Sequence, residues 1–180
     1  IEIAAIRFEH GEIVDRFVSL VNPGIDIPNL ITEITGISNS MVYKSPKETE
    51  IIDEFLSFLG DYPLVAHNIR FDEQFLSRLC IRHEKEENNF KKYDTLQLAR
   101  SLLFEQPVFN LTALSDFYGL SSDNAHRAEN DTENTGFIFL ELIKELAGYP
   151  LDFISKVNAL IQGESIPNLH LYVEMASALA

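Results

Sequence analysis

Pro63-Leu64-Val65-Ala66-His67-Asn68-Ile69-Arg70-Phe71-Asp72 decides how the chain is read. Pro63 to Ala66 is a short apolar run of the kind that forms a buried strand, and a helix is expected from about Phe71 to His83. His67 and Asn68 then fall at the carboxyl end of a strand, where open α/β sheets place their sites. Asp72 shares a helical row with Phe75, Leu76 and Leu79, so its carboxylate is expected on the core-facing stripe. A carboxylate there is costly unless it is paired or bound to a metal. The plainer reading has Asp72 helping to cap the helix and His67 satisfied by backbone.

Upstream, residues 1–8 and 13–21 read as two strands joined by a turn at Glu9-His10-Gly11, an antiparallel hairpin. Asn22-Pro23-Gly24 ends the second strand. Residues 25–44 look irregular, with Thr35-Gly36 closing a short helix. Ser45-Pro46-Lys47-Glu48 reads as a helix start with a Ser cap and Pro in first position. Ile51, Ile52, Phe55, Leu56 and Leu59 form its stripe, and Gly60 ends it.

Downstream, residues 84–92 read as a charged surface loop, and helical patterns recur at about 94–104 and 111–118. A longer helix runs from about Arg127 to Leu146. Strands followed mostly by helices mean an α/β or α+β domain with a mixed sheet. Gly148-Tyr149-Pro150 punctuates the chain, giving a domain over 1–147 and a helical tail or linker over 148–180. Two short helices are expected around Gly163 and Pro167. The tail either packs on its own domain or leads to a further domain or partner, because an unmated apolar tail would be an exposed patch.

The long helix opens with a second candidate site, His126-Arg127-Ala128-Glu129-Asn130-Asp131. Asp131, Thr135, Ile138 and Leu142 share one face, so Asp131 also points toward the core. His126 sits in the loop before the helix, over the same pocket. An acid placed merely to meet the helix dipole would suit Glu129 better than an inward Asp131.

Composition narrows the chemistry. The chain has 180 residues and a net charge of −14, from 14 basic and 28 acidic side chains. That balance argues against broad electrostatic capture of nucleic acid. No apolar run approaches the roughly 18 residues of a membrane span, and no signal-peptide pattern is present. A single cysteine, Cys80, excludes an internal disulfide and a four-cysteine zinc site, and fits a reducing cytoplasm. Two inward carboxylates, Asp72 and Asp131, each with a nearby histidine, suggest a site for Mg²⁺ or Mn²⁺. Such ions carry out phosphoryl transfer and can neutralise a phosphate where basic residues are scarce.

On these motifs the chain resembles the DnaQ-like 3′–5′ exonuclease domains of the DEDDh type over about residues 1–147. His67-Asn68-x-x-Phe71-Asp72 matches the second family motif and His126-x-Ala128-x-x-Asp131 the third. Gly11, Asn22-Pro23, Thr35-Gly36-Ile37 and Asp94-Thr95 fall at secondary landmarks. The resemblance implies a ribonuclease H-like mixed sheet flanked by helices. It implies that Asp131 is a direct ligand in a two-metal cluster, that Asp72 acts there mainly from the outer shell, and that His126 is the general base. Thr35, Gly36 and Ile37 would lie beside the terminal nucleotide, His67 and Asn68 would build the pocket, and Asp94 would play a supporting role. The substrates implied are single-stranded 3′ ends of DNA or RNA. The setting implied is a polymerase proofreading subunit, an exonuclease fused to a helicase or a free-standing enzyme.

The first family motif, an Asp-x-Glu expected roughly 10–20 residues before Glu2, is absent. Glu2 belongs to the strand that follows it and is expected to be structural. On that basis residues 1–180 lack the first strand and half the metal ligands, and should bind Mg²⁺ poorly and cleave little. The rival from another class is a non-catalytic nucleic-acid-binding or interaction module with the same fold.

Overall fold

The structure, a computed structural model, describes residues 1–87, 89–121, 127–161 and 167–179. Strands β1 (Glu2–Glu9) and β2 (Glu12–Leu20) pair antiparallel, with Ile3 opposite Ser19 and a bulge between Arg7 and Phe8. The loop between them is His10-Gly11, with φ of 53° and 84°. Two consecutive left-handed residues match the twist a tight hairpin needs, which is why glycine stands there. Two short helices follow, α1 (Asn29–Thr35) and α2 (Asn39–Val42), and Gly36 closes α1 at φ 71°.

Helix α3 (Glu48–Leu59) begins later than its sequence suggests. Ser45 is not its cap, because the Ser45 hydroxyl donates to the carbonyl of Met41 instead. Lys47 is the cap, and its backbone N–H donates to Glu50 Oε2 at 2.7 Å, so the acid three residues on supplies the acceptor. Strand β3 (Leu64–Ala66) leads into α4 (Ile69–Arg82). Residues 92–94, which lack a strand pattern, form β4 (Lys92–Asp94), parallel to β3 with Val65 opposite Tyr93. The later helices are α5 (Thr95–Leu102), α6 (Leu111–Phe117), α7 (Ala128–Ala147), α8 (Leu151–Ile161) and α9 (Leu169–Leu179).

The architecture is mixed α/β, with one antiparallel and one parallel pair of strands that do not join into a single sheet among the described residues. Helix α7 packs against both β1 and β3 and bridges the two pairs. It can approach β1 closely because Gly136 faces the ring of Phe8, where a Cβ would collide. Phe8 then meets Phe137 edge-on at 5.4 Å. The main core gathers Leu98, Leu102, Leu114, Ile138, Leu142 and Leu146. Ile154, Leu171 and Tyr172 belong to the same cluster, so α8 and α9 bury their apolar faces against the domain. No helix among the described residues is long and apolar enough to cross a membrane.

Candidate active site

The parallel strands β3 and β4 end together at Ala66 and Asp94, and α4 and α5 leave from that edge. Helix N-termini there carry unpaired N–H groups and favour anionic ligands. Asp94 answers much of that demand. It is 1% exposed, and its Oδ1 accepts from the backbone N–H of Leu96 at 2.9 Å, Gln97 at 3.3 Å and Asn68 at 3.1 Å. The first two bonds cap α5. The third crosses to Asn68, a non-glycine residue held at φ 67° as the cap position of α4. Asn tolerates that left-handed conformation better than most residues, and the bond to Asp94 fixes it.

His67 is half-buried, with Nδ1 3.0 Å from the Thr95 hydroxyl. Burial pushes its imidazole below the usual histidine range, and the charge of Asp94 opposes that shift. His67, Asn68, Leu96, Arg100, Phe109 and Asn110 line an open groove of about 360 Å³. Its arginine, aromatic ring and amide groups are the chemistry that binds phosphates and unstacked bases. Arg100, Phe109 and Asn110 escape the sequence motifs. The only local hint is that Leu96 and Arg100 lie four apart on one helical face.

Asp72 corrects the expectation of an inward acid. It lies in the first turn of α4 and is exposed, while Ile69, Leu76, Leu79 and Cys80 carry the buried face. The row spacing does align Asp72 with Ile69 and Leu76, yet both of those are buried while Asp72 is exposed, so sharing their row does not bury it. The protein around its carboxyl still strips enough water to raise its pKa, and the charge of Asp94 adds to the rise. Asp131, in the first turn of α7, is half-buried above Thr135, Ile138 and Leu142, so its row does face inward. The backbone there is braced: Asp131 N–H donates to the Arg127 carbonyl at 3.0 Å, and Thr135 Oγ1 donates to the Asp131 carbonyl at 2.7 Å. His126, the expected base, lies outside the described residues.

Thr35, Gly36 and Ile37 form the left-handed close of α1. Ile37 is buried with Ile27 and Val42, and Thr35 Oγ1 accepts from the Ile37 N–H at 3.2 Å. These contacts tie the turn to α1 and α2 rather than to the His67 groove. Among the described residues no group of three or more His, Cys, Asp or Glu side chains is placed to hold a metal ion. Asp72 and Asp131 alone are too few donors for a carboxylate-bound two-metal centre.

Glu2 is structural, as its sequence position implies. Its side chain is only 4% exposed and forks onto Arg127, with Oε1 2.6 Å from Nη2 and Oε2 3.1 Å from Nε. Oε2 also accepts from the Ala128 N–H at 2.7 Å, which pins the start of α7 to β1. The Arg127 bonds hold the Glu2 carboxyl below the usual carboxylate range. Glu2→Ala should cost about 1–3 kcal/mol in denaturant unfolding at pH 7, because it leaves the Ala128 N–H without its acceptor. A depressed pKa stabilises the fold above the ordinary glutamate value of about 4.3, and that contribution fades as pH falls through the folded value. The gap between wild type and Glu2→Gln should therefore narrow from pH 7 to pH 3. A gap that does not vary with pH would refute the charge assignment.

Residues 1–139 match the RNase_T family, described as Exonuclease. A DNA polymerase III PolC-type from Bacillus cereus is 34% identical over 158 residues, which are 88% of this chain and 11% of that protein. The chain thus spans about a tenth of the length of that relative. Among solved structures, exonuclease X in complex with 5′-overhanging duplex DNA superposes with a TM-score of 0.63 at 25% identity, over 83% of this chain and 84% of that one. The nuclease domain of 3′hExo, a DEDDh family member bound to rAMP, shares the fold with a TM-score of 0.66 at 19% identity, over 81% of this chain and 80% of that one.

Proposed function

The chain belongs to the RNase_T exonuclease family, and from that premise we propose that it is the body of a metal-dependent 3′–5′ exonuclease acting on single-stranded DNA or RNA ends. The observation that carries this reading is the groove at the shared carboxyl end of β3 and β4. There His67, Asn68, Arg100 and Phe109 line a space of nucleotide size, one helical turn from Asp72. The products would be nucleoside 5′-monophosphates, and the setting a larger cytoplasmic protein of polymerase or helicase type.

In this reading Phe109 stacks on an unpaired base, Arg100 meets a backbone phosphate, and Asn68 offers its amide to the terminal nucleotide. His126 takes the proton from the attacking water, as a histidine near neutral pH can. Asp131 is the direct metal ligand and Asp72 an outer member of the same cluster. When bound, two Mg²⁺ or Mn²⁺ ions would lower the pKa of the attacking water and polarise the scissile phosphate. The donors among the described residues are too few for that centre, so the reading calls for the Asp-x-Glu strand of the family's first motif. The two separate strand pairs, both resting on α7, fit a strand inserted between β1 and β3.

The test digests a 5′-labelled single-stranded oligonucleotide with Mg²⁺ or Mn²⁺. A form carrying Asp-x-Glu should shorten it stepwise from the 3′ end, and EDTA should stop the reaction. Residues 1–180 alone should release little. Robust, EDTA-sensitive digestion by the 180-residue chain would sink the requirement for the added strand. No digestion by the longer form would favour a non-catalytic binding module.

A further inference from the structure

The β4 strand has two edges, and only one of them faces β3. In a strand, alternate residues turn their backbone N–H and C=O groups to opposite sides. The Lys91 carbonyl accepts from Leu64 N–H at 2.9 Å on the β3 side. Lys92 and Asp94 therefore present their backbone groups on the other side, where a buried edge needs partners. Asn168 supplies them. Its N–H donates to the Lys92 carbonyl at 3.1 Å, its Oδ1 accepts from the Asp94 N–H at 2.8 Å, and its Nδ2 donates to the Asp94 carbonyl at 3.1 Å. One residue thus does the work of a neighbouring strand. The task needs a side chain with both a donor and an acceptor. It also needs φ of 70°, which Asn tolerates. Asn168 is 4% exposed.

Asn168 stands at the head of α9, well beyond residue 139, where the family match ends. The rest of α9 reinforces its grip, since Glu174 accepts from Lys91 Nζ at 2.7 Å and from Tyr93 Oη at 3.3 Å. On the far side of Asp94, the carboxylate holds Asn68 and caps α5. A continuous set of bonds thus runs from the tail to the lip of the groove: Asn168, the Asp94 backbone, the Asp94 carboxylate and the Asn68 amide.

We propose that Asn168 is a positioning residue for the nucleotide groove: it fixes Asp94, and through Asp94 the Asn68 turn and the first turn of α4, so that α8 and α9 form part of the active unit. Its consequence for turnover rests on the exonuclease reading, whereas its effect on the Asn68 turn does not. The amide bonds to Asp94 are what matter, so Asn168→Gly, which keeps the left-handed backbone and removes the side chain, is the sharpest change.

Hydrogen exchange on the 180-residue chain tests the link without any activity. Asn168→Gly should speed exchange at Asn68, Leu96 and Gln97 about tenfold, the size of one lost hydrogen bond. The Leu142 amide, deep in α7, should keep its rate. Asn168→Asp keeps the acceptor for the Asp94 N–H, so it should recover part of the protection. In a form carrying Asp-x-Glu, Asn168→Gly should lower kcat about tenfold with KM changed less than twofold, and Asn168→Asp should again fall between. Uniformly faster exchange across α7, or unchanged exchange at Asn68, would overturn the proposal, as would altered exchange with an unaltered kcat. If Asn168→Gly does not fold, the same readings on Asn168→Asp decide. A wild-type form that never cleaves would reject the nuclease reading, while the exchange data still judge the link.

Discussion

Asp131→Asn, made in a form of the protein that carries Asp-x-Glu, is expected to lower kcat about 10³-fold while leaving the fold intact. Asn has nearly the shape of Asp, so the half-buried pocket at the head of α7 loses a charge and little volume. The residues beneath it, Thr135, Ile138 and Leu142, are buried and set the helix firmly in the core. The backbone bonds from Asp131 to Arg127 and from Thr135 to Asp131 are indifferent to the side-chain change. The variant should therefore unfold within about 1 kcal/mol of wild type. A rate within threefold of wild type would remove Asp131 from the reaction. A large loss of stability would mean that its charge serves the fold.

How much of this was legible depends on whether the cause is local. The β1–β2 hairpin is written in Glu9-His10-Gly11, because two left-handed residues between apolar runs admit few other turns. The inward row of α7 is written at spacings of four, three and four from Asp131 to Leu142. Strand β4 is not written anywhere in this sense. Lys92-Tyr93-Asp94 has one apolar residue, and it is a strand because β3 pairs with one edge and Asn168, 74 residues beyond Asp94, satisfies the other.

The candidate site divides in the same way. His67, Asn68 and Asp72 announce themselves by following a buried strand. Arg100, Phe109 and Asn110 reach the groove through folding of separate segments, which the sequence hints at only through the spacing of Leu96 and Arg100. The inward reading of Asp72 failed because helical periodicity states only which row a residue occupies: Ile69 and Leu76 on that row are buried on either side of it, while Asp72 itself is exposed. The acidic excess is also better understood. Arg16, Arg82, Lys85 and Lys91 pair with surface acids, while Arg100 is the basic side chain that lines the groove. Local placement of one cation matters more there than the sign of the whole.

Asp94→Ala should cost about 3 kcal/mol of unfolding free energy, the largest stability effect expected of a single site change at the groove. Three backbone N–H groups, from Asn68, Leu96 and Gln97, share its one oxygen and would all lose it. Asp94→Asn can keep an amide oxygen in the same place and should cost about 1 kcal/mol, the difference between a charged and a neutral acceptor. The two variants also separate packing from charge. The negative charge of Asp94 favours the protonated forms of both Asp72 and His67. Removing it in Asp94→Asn should therefore lower both pKa values, in the same direction, although one group is an acid and the other a base. NMR titration of the Asp72 carboxyl carbon and the His67 ring protons reads this directly. Values that stay put in a folded Asp94→Asn would show that burial alone sets them. Equal stability losses for Asn and Ala would show that the fold depends on the carboxylate charge rather than on the acceptor it presents to α4 and α5.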